Sequence, residues 1–272
     1  MNDSLSAISK DLREVAKNMT REEAVLLVRT YYRVQKLRIQ SGNQEKSLKK
    51  AELPHALSEW FTENTEVLEK YLTKLLDHYS MAHPVGKWAR GILGIGPVIA
   101  AGLIANVDPS KKSAGAIWRY AGLVPGQKRK RGEKIDWNPD MKQIAYFIGE
   151  SFARLVNHPN STYAAVYKKR KSYESMKNEN LEYKTQADAL LETKRFSETT
   201  EAFEHLKGGK LPPFLIDKRA RRYAAKLFLA HFFEQSYRNH YGEEPPLPYP
   251  IAFMGHEKSS YIPAPVSEVP NS

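Results

Sequence analysis

Apolar positions in this chain recur every three or four residues, and no segment alternates apolar and polar residues as a half-buried strand would. Thr20 and Glu23 have the spacing of a capping box, and Ala24, Leu27, Val28, Tyr31, Val34 and Leu37 follow at helical intervals. The polar run SGNQ at 41–44 predicts a break. A second helix is expected over 53–79, with Leu57, Phe61, Leu68, Leu72 and Leu75 on one face. Residues 1–84 therefore read as a helical hairpin or coiled-coil arm, able to join copies of the chain into a homo-oligomer.

Residues 85–157 form a compact centre of three short helices, separated by VDPSKKS and by the loop GQKRKRGEKIDWNPD. The last of these opens with Asn138 as cap and Pro139 in its first turn. Its stripe of Met141, Ile144, Ala145, Ile148, Phe152 and Leu155 is core. Residues 158–212 mix both charge signs and predict a solvated helical insertion, which GGKLPP at 208–213 terminates. A basic amphipathic helix over 213–242 closes the pattern, and 243–272 is a proline-rich tail expected to be extended. The expected fold class is all-α.

Composition adds direction. The 272 residues carry 42 Lys and Arg against 31 Asp and Glu, a net +11, which favours polyanionic partners. Cysteine is absent, which excludes disulfides and thiolate metal sites. The eight histidines form no HxxxH or HExxH pair, so neither a metal nor another cofactor is expected. The polar first seventeen residues do not resemble a signal peptide, and the apolar run 97–105 is too short to cross a bilayer. A cytoplasmic, nucleoid-associated protein without membrane contact is the expectation.

The stretch GILGIGPVIAAGLIANVDP at 91–109 carries the candidate chemistry. A dinucleotide fingerprint would need a third glycine where Ile99 stands, and a Walker loop would need Lys and a hydroxyl where Pro97 and Val98 stand. Helix, glycine turn and Ala-rich helix instead fit a helix-hairpin-helix. There Gly94 and Gly96 turn the backbone, and the N–H groups opening the next helix, at Val98, face a phosphate. A plain packing hairpin is the alternative. Between 111 and 142 lie nine Lys and Arg against three acids. Lys111, Lys112, Lys128, Arg129, Lys130, Arg131 and Lys134 are the candidate phosphate contacts there. On the closing helix Lys218, Arg221, Arg222 and Lys226 share a face with Arg219 beside them. Arg219, Arg222 and Lys226 are candidate contacts, and an ordinary cationic outer face is the alternative.

GILGIGPVIAAGLIANVDPSKKSAGAIWRYAGLVPG resembles the back, serine-transposase domain of the bridge-RNA-guided insertion-sequence transposases, over about residues 88–126. Those proteins place an "IPGIG" hairpin before a "YAGL.P" segment. The resemblance implies DNA binding, with structured RNA as an alternative ligand, and a mobile-element origin tied to DNA recombination. The RuvC-like domain that opens the family has no counterpart in this chain. The family's serine nucleophile lies in the loop after "GL.P", and residues 127–137 contain no Ser, Thr, Cys or Tyr. No catalytic residue is therefore assigned, and strand transfer is not carried over. Two readings stay open beside a DNA-binding relative. One is an active recombinase using partner-supplied groups or an unexpected nucleophile such as Ser151 or Tyr120. The other is an interaction scaffold of a mobile element.

Overall fold

The computed structural model describes residues 10–127 and 131–266. It is all-α: twelve helices and one 3-10 turn, with no strand among the described residues. The chain divides into two compact units. The first comprises residues up to Lys111 with Gln235–Pro245; the second comprises Lys112–Glu234 and Pro246–Pro265.

In the first unit α1 (Lys10–Lys17) precedes the long pair α2 (Arg21–Lys50) and α3 (Ala56–Ala82). The capping box forms: Thr20 Oγ1 accepts the Glu23 N–H at 3.2 Å, and Glu23 Oε2 accepts the Thr20 N–H at 2.8 Å. The break expected at 41–44 does not occur; α2 runs through it. Ser41 is buried and donates to the Arg38 carbonyl, and Gly42 sits beside Thr62 of α3. Packing along α3 outweighs the cost of about 1 kcal/mol that a mid-helix glycine carries. The turn falls at 51–55, where Glu52 adopts φ 56° and Pro54 disfavours helix at Leu53.

The face that α3 buries also differs from the expected stripe. Thr65, Glu69, Leu72, Leu76 and Tyr79 are inside, whereas Leu57 is 79% exposed and Phe61 lies at the surface. One cause is polar. The Glu69 carboxylate accepts from the Tyr31 hydroxyl at 3.0 Å, the Gln35 amide at 3.1 Å and Arg38 Nε at 2.5 Å. A hydrogen-bonded carboxylate can occupy a seam that hydrophobicity alone assigns to leucine. Beyond it, Ala24, Val28, Leu76 and Tyr79 close on Val98, Ala101 and Ala105 of α5 (Pro97–Asn106). The short α4 (Pro84–Arg90) precedes α5, and Gly86 of α4 lies so near the end of α3 that a Cβ would come within 1.9 Å of the Ser80 carbonyl oxygen.

The second unit begins with α6 (Ala114–Tyr120), capped by Ser113, and α7 (Pro139–Arg154), where Asn138 Oδ1 accepts the Met141 N–H at 2.9 Å. Met141, Ile144, Ala145, Ile148 and Phe152 are buried as expected, and Leu155 is half-buried. Phe152 stacks on Tyr163 of α8 (Thr162–Glu179) with ring centres 4.8 Å apart. Phe228 of α11 (Pro213–Tyr241) meets both rings edge-on.

The segment 158–212 is no solvated arm. Its α9 (Lys184–Thr193) and α10 (Glu201–Lys207) enclose Tyr183, Ala187 and Leu206, with Leu211 and Ile216 completing the cluster. Few apolar residues suffice because Glu174, 1% exposed, binds Arg170, Arg219 and Tyr183. The tail is anchored too. After α12 (Tyr249–Phe253), the Tyr261 hydroxyl donates to Glu234 at 2.8 Å and His231 Nε2 donates to the Ile262 carbonyl at 2.8 Å.

Candidate nucleic-acid interface

The glycine turn between α4 and α5 lies in the first unit. Gly94 has φ 95°, a conformation that only glycine adopts freely, whereas Gly96 has an ordinary φ of −82° and open space beside it. Pro97 fills the first helical position, and no side chain caps the opening N–H groups of α5. The Val98 side chain is buried in the core; only its backbone N–H could meet a ligand. Arg90, which sequence reading passed over, fastens the turn: Nε donates to Asp77 and Nη1 to the Ile95 carbonyl, each at 2.9 Å. Its charge is used structurally. Lys111, also in this unit, lies 3.6 Å from Asp108.

A concavity lies within the second unit. After α6 the chain turns at Gly122, whose φ of 64° and whose packing against Trp137 and Lys142 both require glycine: a Cβ would sit 3.0 Å from the indole. Gln127 latches the turn, its Oε1 accepting the Val124 N–H at 3.1 Å and its Nε2 donating to the Arg119 carbonyl at 3.1 Å. Gly149 lets α7 lie directly on α11, since a Cβ there would be 2.9 Å from the Arg221 carbonyl oxygen. These three pieces enclose a cleft of about 390 Å3. Turn residues 122–127 form one wall, Lys142 and Tyr146 of α7 a second, and Lys218, Arg221 and Arg222 of α11 the third.

The lining holds no acid, and the two carboxylates that reach Arg221 are already engaged. Asp217 lies 2.6 Å from Arg221 and 3.3 Å from Lys171, and accepts from the Tyr167 hydroxyl. Burial raises the Asp217 carboxyl, but the Tyr167 hydrogen bond and the Arg221 charge outweigh it and hold it below the usual range. Glu150 lies 3.3 Å from Arg154 and 4.0 Å from Arg221. Lys142 rests 4.0 Å above the Trp137 ring and Lys218 5.2 Å above Phe214. A ring face orients an ammonium without neutralising it. Arg222 is exposed. Among the described residues none of these last three cations has a carboxylate within ion-pair distance.

The remaining candidates separate by environment. Arg219 lies 2.6 Å from the buried Glu174 and 4.3 Å from the Tyr183 ring, so its charge serves the fold. Burial raises the Glu174 carboxyl, yet hydrogen bonds from Tyr183, Arg219 and Arg170 leave it lowered. Lys226 packs 4.2 Å from Trp118, whose Nε1 donates to the Lys226 carbonyl; burial and the charge of Arg222 lower its pKa. Lys112, Arg131 and Lys134 are exposed. Lys128, Arg129 and Lys130 lie outside the described residues. Lys142, Lys218 and Tyr146 were not singled out as site residues from sequence, although Lys142–Tyr146 and Lys218–Arg222 each have the four-residue spacing of one helix face.

Ser113 is spent as a cap, and the Tyr120 hydroxyl accepts from the Asn138 amide at 2.7 Å. Among the described residues no three His, Asp or Glu gather as a metal site needs, and no helix is long and apolar enough to cross a membrane. No family model, curated protein or solved structure matches the chain.

Proposed function

We propose that this protein binds nucleic acid through its phosphate backbone, with the α7–α11 cleft as the principal contact and DNA as the primary ligand. The observation that carries the reading is the trio Lys142, Lys218 and Arg222: three cations converge on one concavity with no ion-pair partner among the described residues. Left unpaired, such charges repel one another and give up ion pairs that would stabilise the fold; a polyanion compensates both losses. The exposed Lys112, Arg131 and Lys134 add positive charge to the same unit. The α4–α5 element is read as a helix-hairpin-helix whose uncapped helix start supplies a further phosphate contact, with Gly94 shaping the turn. The resemblance to insertion-sequence transposases agrees with this reading. No nucleophile is assigned.

A salt titration of affinity for labelled duplex DNA and structured RNA tests the proposal. Three or more phosphate contacts predict a log–log slope of about −3 or steeper on duplex. Reversing Lys142, Lys218 and Arg222 together to glutamate is expected to cut affinity at least tenfold with unchanged melting. Salt-independent affinity, or none at low salt, overturns the reading.

A further inference from the structure

We infer that the α7–α11 cleft accommodates one unpaired nucleotide, phosphate against the cations and base against the apolar wall. The inference rests on the nucleic-acid reading above and narrows its ligand. A stacked duplex is convex, and its phosphates can cross the rim of a cleft while its bases stay inside the helix. The concavity of about 390 Å3 falls in the size range of small-ligand sites, a volume that a duplex backbone crossing its rim would not fill. Its lining holds both chemistries that a nucleotide needs. Lys142, Lys218 and Arg222 supply cations for the phosphate; Leu123, Val124 and Pro125 of the turn and the half-exposed ring of Tyr146, on the same helix as Lys142, supply an apolar side. A phosphate alone would leave that apolar side unused, and an apolar ligand would leave the cations unpaired.

The same geometry says how the base is held. The one side-chain amide in the lining, Gln127, is committed to the turn: its oxygen accepts from Val124, and its nitrogen donates to the Arg119 carbonyl and to Asp136 at 3.2 Å. With that amide occupied, the base is gripped by stacking and apolar contact and its edge is not read. The cleft is therefore tolerant of base identity and selective for bases that are free to leave a helix.

The test compares a blunt duplex with the same duplex carrying one bulged nucleotide, by fluorescence anisotropy at fixed salt. Wild type, Tyr146→Ala and Val124→Trp are measured side by side; Tyr146 and Val124 are both exposed, so neither change disturbs the core. The bulged duplex is expected to bind about tenfold tighter to wild type, the scale of one base–aromatic stack. Tyr146→Ala and the cleft-filling Val124→Trp should erase that preference, so that each variant binds bulged and blunt duplex alike, and wild type should bind the four bulged bases alike. Equal, salt-sensitive affinity for blunt and bulged duplex overturns the nucleotide cleft while the nucleic-acid reading stands. A preference that survives in both variants likewise overturns it. Failure to bind either duplex at low salt removes both.

Discussion

Arg219 and Arg222 sit three residues apart on α11, and replacing each by alanine separates a cation that holds the fold from one that is available to a ligand. Arg219 Nε lies 2.6 Å from a carboxylate on a residue that is 1% exposed, and its guanidinium covers the Tyr183 ring. Breaking a buried pair by removing one partner costs about 3–5 kcal/mol. Glu174 would keep Arg170 and the Tyr183 hydroxyl, so Arg219→Ala is placed below that range, at about 2 kcal/mol. For a unit of this size that lowers the melting temperature by about 4–8 °C. Arg222 is exposed, and its charge disfavours the protonated form of its neighbour Lys226. Arg222→Ala should alter stability by less than about 0.5 kcal/mol and act on DNA affinity instead. Melting followed by far-UV circular dichroism and affinity at low salt provide the two readouts. If Arg219→Ala melts with wild type, or weakens DNA binding more than Arg222→Ala does, the division of roles is wrong.

Two further outcomes follow from the packing. Gly86→Ala should destabilise by about 3 kcal/mol or more, because its Cβ meets the Ser80 backbone, whereas Gly96→Ala has open space and should melt as wild type; the reverse order in thermal melts would refute the placement of α4. Burial holds the His231 imidazole below its usual range, so the unfolded chain takes up a proton that the folded one refuses. Stability from this source is present above about pH 6.5 and falls as pH drops toward the lower folded value. His231→Gln, which retains a donor for the Ile262 carbonyl, should flatten the fall in melting temperature between about pH 7.5 and 5.5, and an unchanged slope would assign the fall elsewhere.

Local signals in the sequence were reliable where the interaction is itself local. Thr20 and Asn138 cap the helices they precede, and the stripe from Met141 to Phe152 is inside, because a cap or a helical face is decided within a few residues. Signals that depend on a distant partner misled. SGNQ is helical because α3 packs beside it, and Leu57 stays exposed while Glu69 is buried because Tyr31, Gln35 and Arg38 reach the carboxylate from α2. The charged stretch after Ser161 folds because one buried carboxylate gathers two arginines and a tyrosine from three elements of the unit.

What the sequence determined alone is therefore the all-α class, the positive balance of the chain and the glycine demanded at Gly94, all consequences of composition and short-range geometry. Which cations are available was decided only by the tertiary structure. In one basic run on α11, Lys218, Arg221 and Arg222 all line the cleft with Lys142, but Arg221 is held by Asp217, while Arg219 turns to Glu174. Side chains a single residue apart on a helix point about 100° away from each other, so each meets a different neighbour. Those neighbours come from elements far away in sequence, and only folding brings them within reach.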